Sequence, residues 1–177
     1  EVTKECDIPG YMVLMDVEKA FDSMDHDFLL EVLKAFGFGE NFTNWIKIIL
    51  TNQESCVMNG GNSTGYFKLE RGARQGDPIS AYLFILVMEV FFHMIRKNSS
   101  IKGVNIFGNI FNVVAYADDA NILCNDLVSV RLVKETFDCF SEYSGLRLNA
   151  TKTEICGIGS KRGVEVALCG MKSVNLL

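Results

Sequence analysis

The sequence predicts an α+β fold in which an antiparallel sheet carries helices packed on one face. Three observations predict it. Short apolar runs of strand length are interspersed with longer stretches of helical periodicity, glycine-containing turns join neighbouring runs as hairpins rather than crossovers, and two of the runs end in carboxylates. With 177 residues, 49% of them hydrophobic, the chain is long enough to bury one substantial core.

The first strand is expected over residues 11–16, apolar until it reaches Asp16. An acidic turn leads to a helix over 28–36, capped by Asp25 or Asp27 and ended by Gly37 or Gly39. A second helix covers 42–50, with Asn41 as its cap and Phe42, Trp45, Ile46 and Ile49 as its apolar face. Residues 55–58 and 66–69 flank Asn59-Gly60-Gly61 as a hairpin. Residues 71–78 form a loop, and a long apolar helix spans 80–97. Its most apolar part, 81–95, is interrupted by Glu89 and His93 and is shorter than the ~20 residues a membrane span needs, so it is read as a buried helix with no membrane partner. A second hairpin joins 104–107 to 110–115 across Gly108-Asn109, and 120–124 pairs back across Asp118-Asp119. A helix over 127–143 ends at Gly145, and strands over 146–148 and 154–157 complete the pattern. Trp45 and the Phe91-Phe92 pair are expected in the core.

The formal charge of -5 argues against a free-standing nucleic-acid-binding module, which ordinarily carries a basic excess. That acidity is local. Residues 1–31 hold 9 acids against 2 lysines, whereas the remainder carries 15 cations against 13 acids. Six cysteines, Cys6, Cys56, Cys124, Cys139, Cys156 and Cys169, occur singly, without the paired spacing of a zinc site or a redox motif. They suit a reducing, intracellular setting, nucleus or cytoplasm, and no secretory or transit signal is read at the start of the sequence.

The chemistry centres on the two carboxylate-ended runs, Tyr11 to Asp16 and the Tyr116-Ala117-Asp118-Asp119 segment. If they converge, two carboxylates ~4 Å apart repel by about 4 kcal/mol at an effective dielectric of 20, so a positive charge must accompany them. Oxygen donors without histidine or thiolate select a hard divalent cation, Mg2+ or Mn2+. Strand alternation lets only one of the adjacent acids point fully inward, and Asp118 is the choice over Asp119. Taken on its own, the Asp118-Asp119 pair is more simply explained as a plain polar hairpin turn.

Four segments in order settle between these. Asp16-Val-Glu-Lys-Ala-Phe21-Asp22, Gly72-Ala-Arg74-Gln75-Gly76-Asp77-Pro78, Tyr116-Ala-Asp118-Asp119 and Gly145-Leu-Arg-Leu-Asn149-Ala-Thr-Lys152 together resemble the polymerase palm of reverse transcriptases, closest to the non-LTR, LINE-type retrotransposon branch. The resemblance implies an RNA-directed DNA polymerase that uses an RNA template, a DNA primer and deoxynucleoside triphosphates. It implies that Asp16 and Asp118, with Asp119 and the Val17 carbonyl, hold Mg2+, and that Lys152 faces the departing pyrophosphate. Phe21 is expected under the sugar of the incoming nucleotide, Gln75 and Gly76 against the nascent pair, and Arg74 near phosphate. Tyr116 is expected to pack its ring in the hairpin with its hydroxyl near the primer end. Residues 1–177 would then be one partial palm domain with a remnant of the fingers, the thumb and most of the fingers lying outside it, and the fragment alone would be inactive. The oligomeric state is not readable. A catalytically inactive relic that binds nucleic acid, a group II intron maturase, a telomerase-like polymerase and a nucleotide cyclase on a similar sheet are the competing readings, the last disfavoured by Phe21 and the Gln75-Gly76 loop.

Overall fold

A computed structural model describes residues 8–116, 119–164, 166, 168 and 170–174. A five-stranded sheet lies at the centre. Its middle strand, β1 (Gly10–Met15), runs between β10 (Asp119–Cys124) and β12 (Glu154–Ile158), with β9 (Val113–Tyr116) outside β10 and β13 (Lys172–Val174) outside β12. Every pairing is antiparallel except that of β12 with β13. The sheet is therefore the antiparallel one expected, with one short parallel strand added at its edge. β13 has only three residues and a polar sequence, so no apolar alternation announces it.

Alternation along β1 divides the sheet into two faces. Val13 and Met15 join Ala120, Ile122 and Ile155 on a dry face, covered by α4 (Pro78–Lys97) and α5 (Leu127–Ser144). Phe91 joins the two helices, its ring 5.1 Å from Phe137 and 5.6 Å from Phe140, while the fully buried Phe84 sets its ring against Phe21. Each such burial contributes about 1.5–3 kcal/mol. The helices therefore sit on one face, as predicted. By length and composition alone α4 could cross a membrane, exceeding the expected apolar stretch, yet Leu83, Phe84, Val87, Met88, Phe91, Phe92 and Ile95 are buried along it as core. Its start is set by Asp77, whose Oδ1 accepts the Ile79 N–H at 3.1 Å, and by Pro78 in the first turn, two residues before the expected boundary.

Three helices lead into this layer: α1 (Ala20–Ser23), α2 (His26–Ala35) and α3 (Glu40–Thr51). Asp25 caps α2, accepting the Phe28 N–H at 3.0 Å, and Gly37 at φ 80 makes the turn out of it, both as read from the sequence. α3 differs from expectation. Gly39, not Asn41, is its cap, and its buried residues are Thr43, Ile46 and Leu50. Trp45 is 65% exposed and Ile49 44% exposed, so Trp45 is not a core residue. The helix is apolar around more than one side, and periodicity does not say which half of so wide a stripe meets α2.

The first hairpin forms in two parts, β3 (Glu54–Ser55) with β6 (Phe67–Lys68) and β4 (Met58–Asn59) with β5 (Asn62–Ser63), turning on Gly60 and Gly61. The second pairs β7 (Val104–Ile106) with β8 (Asn109–Phe111) and turns on Phe107 and Gly108, one residue earlier than expected. Two small strands, β2 (Val17–Glu18) and β11 (Arg147–Leu148), pair beyond the end of β1.

α5 is held at its start by Asp126, whose carboxylate accepts the Ser129 N–H at 2.7 Å. That amide, aided by the Ser129 hydroxyl and the Lys102 ammonium, outweighs partial burial and holds the Asp126 carboxyl below its usual value of 3.8. A carboxyl depressed by folding stabilises above its ordinary titration range and loses that contribution as the pH falls through the folded value. Asp126→Ala should therefore cost about 1 kcal/mol at neutral pH, measured by urea unfolding. The difference from the parent chain should close as the pH is taken below 3.8.

Candidate active site

Asp16 is the first residue past β1, and parity places it with Met12 and Leu14 on the face turned away from the helices. The β1–β10 register ends at Met15 opposite Ala120, so one further step sets Asp16 against Asp119. Asp119 is exposed and opens β10. The two acidic signatures thus meet on neighbouring strands at one end of the open face. Asp118 and residue 117 lie outside the described residues. Among the described residues, no group of three or more His, Cys, Asp or Glu side chains could hold a metal ion. The open face presents a pair of oxygen donors, Asp16 and Asp119, of the hard kind that suits Mg2+.

The Asp16 backbone is tied on both sides to one loop. Its N–H donates to the Thr153 hydroxyl at 3.2 Å, and its carbonyl accepts the Asn149 N–H at 2.8 Å. Asn149 in turn uses its side-chain oxygen to accept from the Thr151 N–H, the Thr151 hydroxyl and the Lys152 N–H, at 3.2, 2.7 and 3.2 Å. This Asx turn fixes the backbone that projects Lys152. The result is a cavity of ≈ 350 Å3 lined by Asp16, Val17, Glu18, Lys19, Asn149 and Lys152. Three of the residues selected from the sequence are therefore brought into one cavity.

Its other three residues, Glu18, Lys19 and Asn149, were not selected from the sequence. Lys19, which begins α1, has φ 44 and ψ 46, a left-handed conformation uncommon for a residue with a side chain. No local signal announces that. Asn149 was noticed only as part of a segment, although an Asn preceding a Thr by two positions after a strand is a turn signal.

Phe21 is half-buried, its ring 5.1 Å from that of Phe84. Its carbonyl accepts the Ala73 N–H at 2.7 Å, and the Met24 carbonyl accepts the Gly72 N–H at 2.8 Å. Gly72 is required there: at φ 80, a Cβ would lie 2.6 Å from the Phe21 carbonyl oxygen. Segment 71–77 is thereby fastened to α1, and Arg74, Gln75 and Gly76 follow as exposed residues. Gly76, at φ 90, has open space where a Cβ would point. The Gln75 amide nitrogen lies 3.5 Å from the Asp22 carboxylate. Arg74 donates to the Glu54 carbonyl at 2.9 Å, which engages it with the first hairpin.

Tyr116 is 86% exposed, so its ring is not packed in the hairpin as expected. Among the described residues β9 is an edge strand of the sheet. Tyr116 instead lines a separate cavity of ≈ 660 Å3 between β9 and α4, with Tyr82, Ile85 and Phe92.

The family model of reverse transcriptase (RNA-dependent DNA polymerase) matches residues 6–176. The chain is 33% identical over 141 residues to a 149 kDa protein of transposon TX1 from Xenopus laevis, covering 78% of this chain and 11% of that protein. It is 33% identical over 149 residues to the Pol polyprotein of the type-2 retrotransposable element R2DM from Drosophila melanogaster, covering 84% of this chain and 14% of that one. It spans between 11% and 23% of the length of the first curated relatives it matches. Among solved structures, telomerase from Candida tropicalis in complex with a fragment of telomeric RNA shares the fold, with a TM-score of 0.64 and 13% identity over 93% of this chain and 28% of that one. The same telomerase in its apo form gives a TM-score of 0.63 at 16% identity, covering 89% of this chain and 32% of that one. The chain belongs to the reverse transcriptase (RNA-dependent DNA polymerase) family, on its non-LTR retrotransposon branch.

Proposed function

We propose that this chain is the palm of an RNA-directed DNA polymerase that extends a DNA primer on an RNA template with deoxynucleoside triphosphates. The observation that carries the reading is the cavity at the end of β1, which joins Asp16, Val17 and Lys152 beside Asp119. In this reading the primer 3'-hydroxyl attacks the α-phosphate, a new phosphodiester bond forms, and pyrophosphate leaves with the electrons of the broken P–O bond. Asp16, Asp118, Asp119 and the Val17 carbonyl would hold divalent metal, Mg2+ or Mn2+. Metal bound there would supply activation of the attacking hydroxyl and charge neutralisation at the leaving oxygen. Lys152 stands on the cavity wall to neutralise or protonate pyrophosphate, and Lys19 adds a second ammonium. Phe21, held against Phe84 and by Ala73, supports the sugar edge and excludes a 2'-hydroxyl.

Gln75 and Gly76 face the nascent pair, where the open space at Gly76 leaves room for a base. Arg74, engaged with Glu54, steadies the hairpin against this loop rather than reaching a phosphate. Tyr116 lies outside this cavity and approaches the primer end only from the β9 edge. The residues act as part of a larger polymerase that supplies fingers and thumb and works in the nucleus or cytoplasm.

Asp16→Asn and Asp118→Ala, each made in the polymerase that carries this chain, should lower primer extension by about three orders of magnitude or more while leaving the circular-dichroism spectrum unchanged. Extension retained in both variants would overturn the metal assignment, and a folded, template-binding parent that extends nothing would mark an inactive relic. Lys152→Ala should slow the bond-forming step by about a hundredfold in single-turnover measurements, with Lys152→Arg recovering part of the loss.

A further inference from the structure

Beyond the residues that line the cavity, one side chain holds the wall of the proposed nucleotide site from behind. His26 lies at the start of α2, half-buried, with its Nε2 2.7 Å from the Gly72 carbonyl oxygen. A carbonyl only accepts, so Nε2 carries the proton of this bond. The same glycine donates its N–H to Met24 at 2.8 Å, and the next peptide donates to Phe21 at 2.7 Å. Gly72 is thus held through both its polar groups. The histidine supplies the only one of these three bonds that comes from a side chain, and its donor reaches across 46 residues of sequence.

We infer that His26 is a positioning residue: by donating to the Gly72 carbonyl it fixes segment 72–76 against Phe21 and so sets the distance between the sugar-supporting ring and the Gln75-Gly76 wall. The inference rests on the polymerase reading. Two features make the bond consequential. Gly72 is pressed so closely onto Phe21 and Asp22 that the segment has one seat, and a shift of its carbonyl moves both neighbouring peptides. Past Ala73 the segment is exposed; Arg74 ties it onward, its carbonyl accepting the Ser80 hydroxyl at 2.8 Å and its guanidinium donating to the Glu54 carbonyl at 2.9 Å, while the bond from Gln75 to Asp22 is long at 3.5 Å, so the Phe21 side of the wall rests on the bonds at Gly72 and Ala73. The Arg71 guanidinium, 3.9 Å from Asp25, is an exposed ion pair that adds little.

The test uses the polymerase that carries this chain, with His26→Phe, which keeps a ring without a donor, and His26→Gln, whose amide can donate from a similar reach. Hydrogen exchange followed by mass spectrometry reads the amides of 72–76, and steady-state extension reads the nucleotide. His26→Phe should speed exchange of that segment and raise the KM for deoxynucleoside triphosphate about three- to tenfold, the range one hydrogen bond carries, with kcat within about twofold. His26→Gln should return both toward the parent. Unchanged exchange in His26→Phe, faster exchange with an unchanged KM, or a loss confined to kcat would each overturn the inference. Failure of the parent protein to extend a primer would sink the polymerase reading, a result separable from the exchange data.

Discussion

The position of Asp16 depends on one arrangement, the grip of the 149–153 loop on the peptide groups at the end of β1. A strand can deliver a carboxylate to the edge of a sheet, but past its last ladder pair nothing in the strand fixes where that residue goes. Here the Asn149 N–H takes the Asp16 carbonyl and the Thr153 hydroxyl takes its N–H. The same loop carries Lys152, so the carboxylate and the ammonium are positioned by one set of hydrogen bonds. Their registration survives only if β11 pairs with β2 and α5 ends where it does. Gly145, left-handed at φ 74, makes that ending and lies so close to the Ser23 carbonyl that a Cβ would meet it at 2.7 Å.

The division of the sheet into unlike faces has the same root. Buried Phe84, Phe91, Phe137 and Phe140 cover the dry side, which leaves polar or charged groups on the other side free of the core. Asn121 and Glu154 flank Leu14 there, on the face that carries Asp16. A small second cluster of Val104, Leu123 and Ile158 closes only the far end of that face. The end with the carboxylates stays open, and its openness follows from where the apolar residues stop along β1 and β10.

Most of the architecture was legible because it rests on local or periodic signals. Asp25 as a cap, Gly37 and Gly145 as stops, and the two glycine hairpins were all read in place or within one residue. The meeting of the strand ending in Asp16 with that beginning at Asp119 stood only as a condition, because local signals place 120–124 in its own hairpin and do not encode its long-range pairing with β1. The misreadings share a physical cause. Trp45 and Tyr116 are large apolar or aromatic residues whose burial depends on whether another element covers that side, a fact no spacing encodes. Arg74 donates to a carbonyl of a hairpin twenty residues away in sequence, a partner that its charge alone does not name. No local signal marks Lys19 or His26 for these roles, which arise from backbone geometry set elsewhere in the fold.

The charge in the cavity explains why carboxylates and lysines have to occur there together. Asp16 and Glu18 oppose Lys19 and Lys152 on its walls, so the lining is formally neutral. A neutral lining offers a polyphosphate no net attraction, and Asp16 alone would repel one. At an effective dielectric of 20, two unit charges 4 Å apart interact by about 4 kcal/mol, so each change of sign in so small a space is large against thermal energy. Divalent cations bound by Asp16 and Asp119 would turn the site positive, and the acidic excess of residues 1–31 would then no longer oppose an anionic substrate. Without such cations Lys19 and Lys152 only offset Asp16 and Glu18, and Asp119 on the neighbouring strand adds a further negative charge beside them.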